Sequence, residues 1–128
     1  MKKTTIVFLL VLLLLLVGCS RSSIEEESGY KKISAEEAKE MIDTEDLVIL
    51  DVRTKEEYDQ AHIEGAILIP DYQLKEQAES KLPNKEEKIL LYCRSGNRSE
   101  SAAKILIEMG YSKVYDFGGI IDWPYELK

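Results

Sequence analysis

The sequence predicts an α/β domain: a mainly parallel central sheet of about five strands, with helices on both faces. Three observations lead there. From residue 30 onward, short apolar runs alternate with amphipathic segments. One run, "LVILDV" at 47–52, is apolar throughout except for Asp51, as expected of a strand covered on both faces. Two segments open with the capping-box pattern of a helix start, Ser34 with Glu37 and Thr54 with Glu57.

Each element follows in order. "YKKI" (30–33) reads as a short strand, and the helix after Ser34 presents Ala35, Ala38, Met41 and Ile42 on one face. The strand at 47–52 leads into a short helix, "KEEYDQ", behind Thr54. "AILIP" (66–70) is a further strand closed by Pro70, and Leu74, Ala78 and Leu82 mark a helix that stops before Pro83. "KILLYC" (88–93) is the most strand-like segment and ends on Cys93. "SESAAKILIEMG" (99–110) is the most helix-like, with Ala102, Leu106 and Met109 on one face and Gly110 as its stop. "KVYDF" (113–117) gives the last strand, followed by Gly118-Gly119 and a short terminal turn.

The amino terminus has a different character. Lys2 and Lys3 precede an unbroken apolar stretch from Ile6 to Val17, twelve residues long. A bilayer-spanning helix needs roughly 20, so this length suits the core of an export signal. "LVGC", Leu16 to Cys19, resembles the lipobox of bacterial lipoproteins, whose cysteine receives a diacylglycerol after cleavage. The expected organisation is a signal peptide at 1–18, the lipidated Cys19 with a polar tether at 19–29, and a folded domain at 30–128. The resemblance implies an extracytoplasmic protein held on the bacterial membrane through lipid on Cys19. Of the two cysteines, Cys93 is then the only free thiol, so no intramolecular disulfide forms.

The net charge of −7 argues against nucleic acid as a partner. The chemistry concentrates instead in "CRSGNRS", residues 93–99, at the carboxyl end of a strand, where open α/β sheets bind ligands. Gly96 permits a tight loop, and backbone N–H groups of residues 94–99 and the following helix start favour an anion at its centre. Such a field favours the thiolate of Cys93, which removes the need for a histidine base. The single histidine, His62, lies in a short connection before a strand and reads as structural. Asp51 and Arg53 read as a structural ion pair, and Trp123 as a core or pocket-wall aromatic. Arg94 and Arg98 add charge suited to an oxyanion. Four residues separate Cys93 from Arg98, whereas cysteine phosphatases carry five. The tighter ring leaves room for a sulfur atom in place of a phosphoryl group.

At this point the sequence resembles the rhodanese family, specifically its single-domain members, over almost all of residues 30–128. "CRSGNRS" fits the family's C-x-x-G-x-R-S loop, "LDVRTKEEYDQAHIEGAILIP" its Asp-x-Arg and His-Ile-x-Gly-Ala segments, and "GGIIDW" its Gly-Gly-x-x-x-Trp close. Ala61 and Tyr58 stand where the family commonly has Gly and Phe. The resemblance implies a sulfurtransferase that moves a sulfane sulfur from thiosulfate or a polysulfide to cyanide or a thiol through a Cys93 persulfide. Arg94, Ser95, Gly96, Asn97, Arg98 and Ser99 would bind the substrate, with no metal or cofactor. The expected assembly state is a monomer. The alternatives are a rhodanese-like sulfur carrier or binding module with little turnover and, more distantly, a cysteine phosphatase or arsenate reductase.

Overall fold

The computed structural model describes residues 29–128; the predicted leader, Cys19 and all but the last residue of the tether lie outside the described residues. Strands β1 (Tyr30–Lys32), β2 (Val48–Asp51), β3 (Ile67–Leu68), β4 (Ile89–Cys93) and β5 (Val114–Gly119) form one sheet in the order β1-β5-β4-β2-β3. Every neighbouring pair is parallel. The helices are α1 (Ala35–Thr44), α2 (Lys55–Gln60), α3 (Leu74–Lys81) and α4 (Asn97–Glu108). The sheet is the expected α/β one, and it is parallel throughout.

Alternation along the strands assigns each side chain to a face. Leu50, Ile89, Leu91 and Val114 pack with Leu74 and Ala78 of α3 and with Ala102, Ala103 and Leu106 of α4. Ile49, Leu90, Tyr92 and Phe117 point the other way, against Ala38 of α1, Ile63 and Trp123. All five residues of β4 are buried, because it lies in the middle of the sheet and both faces are covered. Both capping boxes form. Ser34 and Glu37 exchange their hydrogen bonds at the start of α1, and Thr54 and Glu57 do so at the start of α2.

Most element ends fall within a residue or two of the sequence reading, and three departures have an identifiable physical reason. The strand expected at 66–70 contracts to Ile67–Leu68 on the sheet edge. Beyond it, Ile69 N–H still donates to Asp51 O and Asp71 N–H to Val52 O, both at 3.0 Å, but the chain turns after Pro70 into a 3-10 turn over Asp71–Gln73. The last strand runs on through Gly118-Gly119, which had been expected to follow it. Gly118, at φ +85°, absorbs the register shift between β4 and β5, and Gly119 pairs with Cys93. Finally, α4 begins at Asn97, two residues before the expected Ser99, and so takes Asn97 and Arg98 into its first turn.

A buried polar cluster joins the carboxyl ends of β2 and β4. The Asp51 carboxylate is fully buried and accepts from Arg53 Nε (3.0 and 3.1 Å), Arg53 Nη2 (2.7 Å), Arg53 N–H (2.9 Å) and Tyr92 O–H (2.7 Å). Tyr92 Oη in turn accepts from Ile63 N–H at 3.1 Å, and Arg53 Nη2 donates to Ala61 O at 2.7 Å. Burial, reinforced by the Asp51 charge, pushes the Tyr92 phenol well above its ordinary range, so it stays a donor. Tyr92→Phe removes a donor from Asp51 and an acceptor from Ile63 at once. The expected loss of stability is about 1–3 kcal/mol, read from urea unfolding midpoints at neutral pH. An unchanged midpoint would contradict this role.

Candidate active site

Cys93 is the last residue of β4 and is 1% exposed. The chain must turn at once from the strand into α4, and Gly96 makes this possible at φ +105°, a conformation that costs glycine little. In this turn the Gly96 N–H points back and donates to Cys93 Sγ at 3.0 Å. Gly96 is also the N-cap of α4 and supplies no side-chain cap. The first-turn amides therefore keep their positive end of the helix dipole beside the sulfur. Ser99, fully buried, places Oγ 3.5 Å from Sγ, 3.1 Å from Gly96 O and 3.4 Å from Gly118 O.

The end of β5 supports this loop from beneath. A Cβ on Gly119 would lie 2.3 Å from Arg94 O and 2.7 Å from Ser95 Cα, so only glycine admits the approach. Gly118 N–H is held by Asp116 Oδ1 at 2.9 Å, and Ile121 N–H donates to Arg94 O at 3.3 Å. In the linear sequence these glycines simply follow an apolar run; only the fold brings them under the loop as its floor.

The two arginines occupy different settings. Arg98 makes a two-pronged ion pair with Glu57, Nη1 to Oε2 at 2.7 Å and Nη2 to Oε1 at 2.8 Å. The same carboxylate accepts from Thr54 N–H (3.0 Å) and Thr54 O–H (3.1 Å), so the capping residue of α2 also braces the catalytic-type loop. The Arg98 pair, foremost, holds Glu57 at about 2, far below its ordinary value of 4.5, against the opposing effect of burial. The Glu57 hydrogen bond likewise raises Arg98, with lesser contributions from the charges of Glu57, Cys93 and Asp71. Arg94 is exposed, and its guanidinium has no partner among the described residues. Ser95 and Asn97 are exposed and, with Gly96, line a polar hollow beside Lys32, Glu100 and Asp116. All six predicted substrate-binding residues thus belong to one loop and helix start, but only Arg94 offers an unmatched charge.

His62 serves the framework. Its ring stacks on Tyr58 with centroids 3.8 Å apart, Nδ1 is 2.9 Å from Tyr58 O, and its backbone exchanges two hydrogen bonds with Lys128. Glu57 is the site residue the sequence reading missed. Its place in the capping box was legible, but nothing in a linear pattern shows that the carboxylate also faces Arg98, 41 residues away.

A buried thiol at a strand end, enclosed by a left-handed glycine turn and a helix amino terminus, defines a cysteine-loop α/β protein. The rhodanese-like domain matches residues 34–124, and the chain belongs to that family. It is 42% identical over 73 residues to the thiosulfate sulfurtransferase PspE of Escherichia coli, covering 57% of this chain and 70% of that protein. It is 39% identical over 95 residues to the thiosulfate sulfurtransferase GlpE of Coxiella burnetii, covering 73% and 87% respectively. Among solved structures, a rhodanese with anions from E. coli superposes with a TM-score of 0.61 at 37% identity, over 65% of this chain and 98% of that one.

The Glu57 brace has a pH signature. Because the folded state depresses its pKa, the contribution of Glu57 to stability is complete above about pH 4.5 and is lost as the pH falls toward about 2. The stability difference between wild type and Glu57→Gln should therefore be flat near neutrality and shrink through that acidic window. Urea midpoints of both proteins across the pH series measure it, and a difference independent of pH would refute the pairing.

Proposed function

We propose that the protein is a sulfurtransferase in which Cys93 takes up a sulfane sulfur as a persulfide and passes it to a nucleophilic acceptor. The observation that carries this reading is the Gly96 N–H aimed at Cys93 Sγ at 3.0 Å within the short loop. Membership of the rhodanese-like family and the sulfurtransferase relatives support it.

In the first half-reaction the Cys93 thiolate attacks the outer sulfur of thiosulfate. A Cys93 S–S bond forms, the donor S–S bond breaks, and its electron pair leaves with sulfite. In the second, cyanide or a thiolate attacks the terminal sulfur, and the electron pair of the persulfide bond returns to Cys93. Neither step with thiosulfate and cyanide requires a proton. That suits a loop which offers no general base and stabilises anionic sulfur by backbone donors. With Arg98 matched by Glu57, Arg94 is the residue that draws in the donor, and Arg98 holds the shape of the loop.

Mass spectrometry after thiosulfate treatment should find one added sulfur on Cys93, removable by cyanide, and none in Cys93→Ser. An unmodified wild-type Cys93 across thiosulfate and polysulfide would sink the reading. The burial of Cys93 favours a second reading, a sulfur carrier that loads but turns over slowly. Thiocyanate formation by protein preloaded with sulfur separates the two: sustained fast turnover identifies the enzyme, and one equivalent released before a much slower rate identifies the carrier.

We further propose that Cys19 carries a lipid anchor, a reading supported by the "LVGC" motif behind the apolar leader. In a bacterial host, full-length protein should partition with membranes and Cys19→Ala should not acquire the acyl mass. Masses that differ only by the substitution itself, with identical partitioning of the two, would exclude the anchor.

A further inference from the structure

Asp116 is a buried carboxylate that the proposed reaction leaves without a part. It lies inside β5 and is only 4% exposed. Lys32, in register with it on β1, is drawn away to Glu100 at 3.0 Å, and Asp116 makes no ion pair among the described residues. Burying a carboxylate without a cation is costly unless hydrogen bonds compensate. Asp116 Oδ1 accepts from Gly118 N–H, two residues on, at 2.9 Å. Aspartate favours this local turn, in which the side chain takes the place of a backbone acceptor.

The residue so held is bent for a reason outside β5. Gly118 has φ +85°, yet a Cβ there would meet nothing within 4 Å, so the demand on it is conformational and not steric. Its turn lies beside the register shift against β4 and brings residues 118 and 119 up to the reactive loop. A Cβ on Gly96 would lie 3.7 Å from Gly118 Cα, so the two backbones are in contact. Gly96 gives its N–H to Cys93 Sγ at 3.0 Å. Gly118 O stands 3.4 Å from Ser99 Oγ, which is itself 3.5 Å from Sγ. Gly96 N–H and the Ser99 hydroxyl, which both reach the sulfur, thus rest on Gly118.

We propose that Asp116 is a positioning residue for sulfur transfer: by holding Gly118 N–H, it fixes the turn that sets Gly96 and Ser99 at their distances from Cys93. The proposal rests on the sulfurtransferase reading and adds to it a residue outside the loop. The acceptor oxygen is what the turn uses. The negative charge is not, because a charge of that sign opposes both an anionic sulfur and an anionic donor.

The test follows sulfur loading of Cys93 in the full chain by time-resolved mass spectrometry, over a range of thiosulfate concentrations. Urea midpoints report the stability of each variant separately. Asp116→Ala removes the acceptor, and its maximal loading rate should fall about three- to tenfold, the equivalent of one hydrogen bond. Asp116→Asn keeps the acceptor and should load at no less than about half the wild-type rate. If Asp116→Ala does not fold, Asp116→Ser, whose hydroxyl makes the same turn more weakly, replaces it with a smaller loss and is judged by the same outcomes. A lowered urea midpoint with an unchanged maximal rate would show a purely structural role and overturn the proposal. Equal losses in Asp116→Asn and Asp116→Ala would also overturn it, as would a loss confined to the half-saturating thiosulfate concentration. Failure of wild-type Cys93 to load would instead overturn the sulfurtransferase reading beneath it.

Discussion

A single buried carboxylate fixes the geometry from which the site is built. Asp51 is fully enclosed at the end of β2, where an isolated charge would be prohibitive, and Arg53 and Tyr92 supply the compensation. Each partner reaches onward, Arg53 to Ala61 O and Tyr92 to Ile63 N–H, so the connection between α2 and β3 is pinned to the same point. Tyr92 immediately precedes Cys93. The cluster therefore sets the height at which β4 ends, and with it the position of the sulfur relative to α2 and its Glu57.

Above that anchor, the loop is shaped mainly by absences of side chain. Gly96 accepts a left-handed turn, and Gly119 lets β5 press against the backbone of Arg94 and Ser95. The remaining freedom is removed by Glu57, whose two oxygens serve the start of α2 and Arg98 together. One carboxylate thus couples the cap of a helix that follows β2 to the first turn of the helix that follows β4. The consequence for electrostatics is an economy of charge: two arginines stand in the loop, and one is committed to structure.

Much of this was legible in the linear sequence. Alternating apolar and amphipathic segments signalled a parallel sheet, because strands covered on both faces leave little polar residue to mislead the eye, and both capping boxes appear where their residues were read. The cysteine, its glycine and its arginines were also found together, since they are neighbours in the chain. What escaped were relations between distant segments. Neither the pairing of Gly119 with Cys93 nor that of Glu57 with Arg98 has a periodic signature, for both depend on how strands and helices stack. The early start of α4 escaped for a local reason: Gly96 ends the loop by its dihedral angles, without the Ser, Thr or Asp that usually announces a helix.

The uniform direction of the strands also gives the domain a polarity. Tyr30 is in register with Val114, and Val114 with Ile89, at the amino edge of the sheet, whereas Cys93 closes the opposite edge. At about 3.3 Å per residue, the four steps from Ile89 to Cys93 put the sulfur roughly 13 Å farther along the strand direction. Whatever holds the chain upstream of Tyr30 therefore pulls on the edge remote from the reactive loop. With the proposed lipid on Cys19, the domain would hang from its base and turn the sulfur outward, toward partners arriving from the aqueous side.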